Sequence, residues 1–148
     1  AAELHLVGDG ELETGLRETT RASGLEASVQ FRGRQSRTEV AEAMRAAHCL
    51  VLPSRSEGMP NVVLEALASG IPVVGSDAGE IPRLISAGKN GFVVPQTNAS
   101  VAEFATALAD ALGKVLARDW DARAISAPLA EYTWDNAART LRAAIERT

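Results

Sequence analysis

Short apolar runs alternate along this chain with longer segments whose apolar residues recur at helical spacing. Five runs read as strands: 4–7 (Leu4-His5-Leu6-Val7), 28–31, 48–52, 71–75 and 91–94. Between them lie predicted helices at 11–23, closed by Gly24, and at 38–47, capped by Ser36 or Thr38. A third helix is expected from Glu57 to Ser69, and a short helical turn at 81–86. Ser100 opens an alanine-rich amphipathic helix to about residue 116, and Thr133 caps a last helix to about residue 147. The pattern is weaker from 117 to 132, which reads as partly helical. Strand–helix alternation with near-continuous apolar strands predicts an α/β fold, a parallel sheet with helices on both faces. Ligands of such sheets bind beyond the carboxyl ends of the strands. Gly8-Asp9-Gly10, Arg32-Gly33-Arg34, Ser54 to Asn61 and Ser76 to Gly79 all fall at those ends.

Composition narrows the function classes. The 148 residues fit one domain, 1–148, with a core of its own. A net charge of −4 argues against nucleic acid or an anionic membrane surface as the partner. No apolar stretch approaches the roughly 18 residues of a membrane span, and no signal peptide opens the chain. Cys49 is the single cysteine and reads as a small buried hydrophobe, so cysteines supply neither a disulfide framework nor a metal cluster. These features suit a cytosolic protein. His5 and His48 read as structural, and Trp120 and Trp134 as anchors of the C-terminal helices. No His-Cys-carboxylate cluster points to a metal, and no G-x-x-x-x-G-K-[ST] points to an NTPase.

The candidate chemistry centres on Glu57-Gly58-Met59-Pro60-Asn61-Val62-Val63-Leu64-Glu65. Two carboxylates bracket a helix start. Pro60 suits the first helical position, where its missing N–H costs nothing. The amides from Gly58 to Val62 are then free at the positive end of the helix dipole, a place for a phosphate or diphosphate. Gly58 lets such a ligand reach the backbone. Eight residues at helical rise span about 12 Å, close to the span from a nucleotide's ribose across two phosphates to an attached sugar. Glu57 could then meet the sugar and Glu65 the ribose hydroxyls. The competing reading makes both of them solvated helix-end glutamates. Gly8 and Gly10 form a G-x-G that either makes room for a nucleotide or simply turns the chain; Glu13 stands where the last glycine of a full fingerprint would be. Arg34 reads as a solvated arginine and Ser54 as a turn residue beside the site; Asp77, with Gly79 and Glu80, either touches the sugar or caps the following turn, the cap being favoured.

Residues 54–74 resemble the E-x7-E signature of retaining glycosyltransferases of family GT4, which have the GT-B fold. The signature continues here as Glu65-Ala66-Leu67-Ala68-Ser69-Gly70-Ile71-Pro72-Val73-Val74, an E-A-x-A-x-G-x-P-V-V run. Leu6-Val7-Gly8-Asp9-Gly10, Phe31-Arg32-Gly33, Val51-Leu52-Pro53-Ser54, Gly79-Glu80-Ile81-Pro82 and Asn90-Gly91-Phe92-Val93-Val94-Pro95 follow in the family's order. The resemblance implies the Rossmann-like C-terminal half of a GT-B fold. It implies a nucleotide-diphosphate-sugar donor, retention of anomeric configuration, and no cofactor or metal. Glu57 would touch the transferred sugar and offset positive charge at its anomeric carbon. Glu65 would bind the ribose. The stretch Gly58, Met59, Pro60, Asn61 and Val62 would hold the diphosphate and sugar. The loop of Gly8 and Gly10 would border the nucleotide, and the backbone at Arg34 its base.

The chain departs from the family by lacking an upstream strand and the Arg and Lys that follow it, and by lacking the N-terminal acceptor-binding domain. The family's strand order, 3-2-1-4-5-6, puts that strand at the centre of the sheet. The chain is therefore expected to be a donor-binding domain that is inactive alone, with two open sheet edges that favour self-association. In the full-length protein it would sit in the cytoplasm or peripherally at the inner face of the membrane. Glu-Gly-Met-Pro-Asn, where Glu-Gly-Phe-Gly is commoner, is similar to transferases of cell-surface polysaccharide assembly and points to a UDP-sugar. A non-catalytic nucleotide-sugar or phosphate-binding module, or another GT-B enzyme such as a sugar-nucleotide epimerase, stays open.

Overall fold

The computed structural model describes residues 2–145. In chain order the elements are β1 (Leu4–Val7), α1 (Glu13–Ala22), β2 (Val29–Gly33), α2 (Arg37–Ala46), β3 (Leu50–Leu52), α3 (Asn61–Ala68) and β4 (Val73–Ser76). They continue with α4 (Ile81–Leu84), β5 (Gly91–Val94), α5 (Val101–Leu116), α6 (Ala122–Ser126), a 3-10 turn at Ala127–Glu131 and α7 (Trp134–Ile145). Contacts divide the chain into two compact units, residues 1–43 and 44–148.

Every strand pairing is parallel, as expected, but the strands form two sheets rather than one: β1-β2 and β3-β4-β5. The ladders begin later than the apolar runs suggested. Pro72 has no N–H to give, so pairing starts at Leu50↔Val73, while Pro72 accepts a hydrogen bond from the Leu50 amide at 3.0 Å. His48, expected inside β3, is exposed ahead of it.

In the first unit β1 pairs with β2 from Leu4↔Val29 onward, and Gly24, at φ +66, closes α1. The Arg17 guanidinium stacks 4.3 Å from the centre of the Phe31 ring. Ser36 and Glu39 form a reciprocal cap at the start of α2. The Glu39 amide donates to Ser36 Oγ and the Ser36 amide to Glu39 Oε2.

The core of the second unit is built around β4, all four residues of which are buried. Side chains of a strand alternate between faces. Val74 joins Val94, Ala111 and Val115 in one cluster under α5, with Phe92 and Trp120 at its edge. On the other face, Gly75 lies so close to Ile81 and Ile85 that a β-carbon would meet the Ile81 side chain at 2.6 Å. Trp120 anchors the C-terminal segment as expected. Its ring meets Phe92 edge-on at 6.3 Å and its Nε1 donates to the Val115 carbonyl at 2.9 Å. Ser100 and Glu103 form a full capping box on α5. Thr133 Oγ1 accepts from the Asn136 amide at the start of α7. The Trp134 side chain and the expected end of the last helix near residue 147 lie outside the described residues.

Candidate functional site

The structure places the expected site residues on the two units. Gly8, Gly10 and Arg34 belong to the first. There, Gly8 and Gly10 follow β1, and a β-carbon at either would meet nothing within 4 Å. Their loop lines an open cleft of about 520 Å³ together with Leu6, Leu12, Leu16 and Phe31. The Arg34 side chain is 82% exposed and pairs with Asp9 at 3.3 Å. An exposed pair of this kind contributes about 0–1 kcal/mol, so Arg34 is solvated, as its sequence context indicated.

Ser54, Glu57, Gly58, Met59, Pro60, Asn61, Val62 and Glu65 belong to the second unit. The helix that bears them starts later than expected. α3 begins at Asn61 rather than Glu57, and Pro60 is its N-cap, with φ −77 and ψ 97, rather than its first helical residue. The reason lies in the hydrogen bonds. The Pro60 carbonyl already accepts the Val63 amide at 3.0 Å while its ψ is still extended, the definition of a cap. A proline ring fixes φ alone, which suits either position. Pro60 is buried and has no N–H, so its contribution is to the start of the helix.

The amides of Gly58, Met59, Asn61 and Val62 have no acceptor among the described residues. Gly58 and Met59 are exposed, and a β-carbon on Gly58 would meet nothing within 4 Å. No acidic residue sits in the first turn of α3 to compete for these donors. Glu57 is half-buried ahead of the helix and Glu65 is exposed on it. Two carboxylates and four unengaged N–H groups thus occupy one loop and the helix that follows. The arrangement can accept hydroxyl hydrogen bonds at both acids and donate to an anion between them.

Ser54, Ser76 and Gly79 were expected near the site, but the contacts they make to the Glu57 loop were not. Ser54 donates its hydroxyl to Glu57 Oε1 at 2.6 Å. Ser76, fully buried at the end of β4, donates to the Ser54 carbonyl at 2.5 Å. Gly79, at φ +53, lies against the carbonyl of Glu57, and the Glu80 amide donates to the Gly58 carbonyl at 3.2 Å. The first of these had a signal in the S-x-x-E spacing of Ser54 and Glu57.

Asp77 is a correction. It does not cap α4, which carries no side-chain cap. Its carboxylate accepts from the Gln96 amide at 2.9 Å and Thr97 Oγ1 at 3.1 Å, tying the loop after β4 to the loop after β5. The Gln96 amide first, and Thr97 with it, holds the Asp77 carboxyl below its ordinary value of 3.8. A carboxyl lowered by folding stabilises the fold above its unfolded value, and the gain is lost as pH falls through the folded value. Asp77→Ala is therefore expected to be less stable than the parent at pH 7, with the gap closing below about pH 4. Urea unfolding from pH 7 down through about pH 4 and below measures it; a gap that does not narrow as pH falls below about 4 contradicts the assignment.

Among the described residues no helix is long and apolar enough to cross a membrane, and no group of three His, Cys, Asp or Glu could hold a metal ion.

Comparison with known proteins gives this geometry a family. The chain is 32% identical to the putative colanic acid biosynthesis glycosyltransferase WcaL of Salmonella typhimurium, over 88% of this chain and 36% of that protein. It is 31% identical to the D-inositol 3-phosphate glycosyltransferase of Jonesia denitrificans, over 90% of this chain and 31% of that one. The chain thus spans about a third of the length of these relatives. Among solved structures, the lipopolysaccharide outer core galactosyltransferase WaaB superposes with a TM-score of 0.79 at 25% identity, over 98% of this chain and 40% of that one. Anabaena HepE, solved in complex with UDP, superposes with a TM-score of 0.76 at 23% identity, over 99% of this chain and 41% of that one. These neighbours are GT-B glycosyltransferases, which settles the fold class expected from the strand–helix pattern. The family model for glycosyl transferases group 1 matches residues 1–114, and the chain belongs to that family.

Proposed function

We propose that this chain is the donor-binding part of a retaining glycosyltransferase that moves a sugar from a nucleotide-diphosphate sugar, foremost a UDP-sugar, to an acceptor in cell-surface polysaccharide or glycolipid synthesis. The observation that carries this reading is the start of α3, where the unengaged amides of Gly58, Met59, Asn61 and Val62 lie between Glu57 and Glu65 in sequence. Fixed N–H dipoles at a helix start suit a diphosphate and stabilise the charge that grows on it as the sugar leaves. No metal is needed for that task. Glu65 takes the ribose hydroxyls. Glu57 takes the transferred sugar and opposes the positive charge at its anomeric carbon. The name of WcaL supports a polysaccharide role, and the UDP in the HepE structure supports the base. Acceptor binding and the cations that offset the diphosphate fall to a further domain, at the cytoplasmic face of the membrane, and the chain by itself is expected not to turn over.

Calorimetric titration with UDP, UDP-glucose, UDP-galactose, GDP-mannose and ADP-glucose tests the reading. One nucleotide series is expected to bind, and Glu65→Ala is expected to weaken the whole of that series about tenfold by removing hydrogen bonds to a charged acceptor. Binding of none of them, or a Glu65→Ala protein that binds like the parent, overturns the assignment.

A further inference from the structure

Glu57 is held from two sides by the segment that closes β4. Ser76 is the last residue of that strand and has no exposed surface. A buried hydroxyl without a partner is costly, so its hydrogen bond carries information. It donates to the carbonyl of Ser54, 22 residues earlier. Ser54 in turn gives its single hydroxyl proton to Oε1 of Glu57. The other carboxylate oxygen, Oε2, has no partner among the described residues. Two residues beyond Asp77, Gly79 packs on the Glu57 carbonyl and the Glu80 amide takes the Gly58 carbonyl. The side chain of residue 57 is thus held by Ser54, whose backbone Ser76 fixes, and its peptide by the segment after β4 directly.

We propose that Ser76 and Ser54 are positioning residues for Glu57: the buried end of β4 sets the Ser54 backbone, Ser54 fixes Oε1, and Oε2 is left aimed for one purpose, to accept from a hydroxyl of the donor's sugar. The inference rests on the reading of Glu57 as the acid that meets the sugar. A neutral donor suits this role. A lysine or arginine in place of Ser54 would cancel the charge that the developing cation needs, whereas a hydroxyl orients the carboxylate and leaves its charge intact. The relay acts on the sugar alone. It contributes nothing to the nucleotide, whose diphosphate meets backbone amides further along.

The test is the ratio of affinities for a UDP-sugar and for UDP, which a general loss of structure would not move selectively. Calorimetry with UDP and with UDP-glucose or UDP-galactose, whichever binds the parent more tightly, is run on Ser54→Ala, Ser54→Thr, Ser76→Ala, Glu57→Gln, Glu57→Ala and the double variant Ser54→Ala/Glu57→Ala. Ser54→Ala is expected to weaken the UDP-sugar about five- to tenfold and leave UDP within twofold. Ser54→Thr keeps the hydroxyl and is expected to restore the parent ratio. Ser76→Ala is expected to shift the ratio in the same direction as Ser54→Ala. In the Glu57→Ala background, where the acceptor of the Ser54 hydroxyl is gone, Ser54→Ala is expected to add less than twofold, because the two act as one unit. A ratio that falls in Glu57→Gln but not in Ser54→Ala overturns the relay and leaves the function standing. A ratio that does not change in Glu57→Gln overturns the reading of Glu57 and the relay with it. Because Ser76 is buried, the half-buried Ser54 decides between these outcomes if Ser76→Ala does not fold.

Discussion

Gly79→Ala is expected to lower the unfolding midpoint by about 5–15 °C and to remove donor binding. The β-carbon would sit 2.0 Å from the Glu57 carbonyl oxygen and 2.7 Å from its carbon, distances that no side-chain rotation relieves because the obstruction is backbone. Residue 79 also has φ +53, where an L side chain costs about 1–2 kcal/mol. Forced overpacking adds about 1–3 kcal/mol, and at this chain length each kcal/mol moves the midpoint by about 2–4 °C. The backbone cannot simply back away. Glu80 is bonded to Gly58 on one side, and Asp77 is bonded to Gln96 and Thr97 on the other. The strain is therefore discharged into the Glu57–Gly58 peptide, ahead of the amides assigned to the diphosphate. Thermal unfolding followed by circular dichroism, together with UDP titration, reads both effects. A Gly79→Ala protein with the parent midpoint and the parent affinity would show that this contact is not maintained in solution.

Glu57→Gln is expected to slow sugar transfer by about 10²-fold or more in the complete transferase while changing its donor KM far less. Glutamine keeps the shape of glutamate, and its carbonyl oxygen can still accept from Ser54. The change therefore isolates charge from geometry. On the proposed mechanism that charge counts chiefly in the transition state, where the anomeric carbon becomes cationic. Binding of the ground-state donor loses only the about five- to tenfold carried by the sugar contact, so the larger part of the effect falls on kcat. Steady-state transfer assays with the parent and the variant decide it. A kcat within threefold of the parent removes Glu57 from the chemistry and leaves it a structural role.

How far the sequence carried this site can be judged from three S-x-x-E spacings. Ser36–Glu39 and Ser100–Glu103 are reciprocal helix caps, and both helices were expected within a residue or two of where they begin. Ser54–Glu57 has the same spacing but no helix follows directly, and it makes the hydroxyl-to-carboxylate bond, also present at Ser100–Glu103, without the reciprocal backbone bonds of a cap. Spacing alone does not distinguish the two uses. The difference is made by Ser76 and Gly79, some twenty residues away, whose approach depends on the β3–β4 pairing. Local signals did well where the physics is local. The apolar runs became β-strands, Gly24 closed α1, and Pro60 opened α3 as its cap, although the helix begins at Asn61, four residues after the expected start at Glu57. Non-local bonds such as those of Asp77 to Gln96 and Thr97 had no signature in the pattern, and the expected cap was wrong for that reason. The split into two sheets was not expected from the pattern, since each strand taken singly looks like a member of either sheet.

The shortness of α3 also bears on how a ligand would be met. Eight residues make a helix that is marginal by itself in water. This one persists because Val63, Ala66 and Leu67 are sealed in the core, each no more than 1% exposed. Its opening is therefore coupled to melting of the interior, not to fraying at its tip. On the proposed function, a diphosphate at Asn61 and Val62 would find donors already in place, and little of its interaction energy would go into ordering the chain.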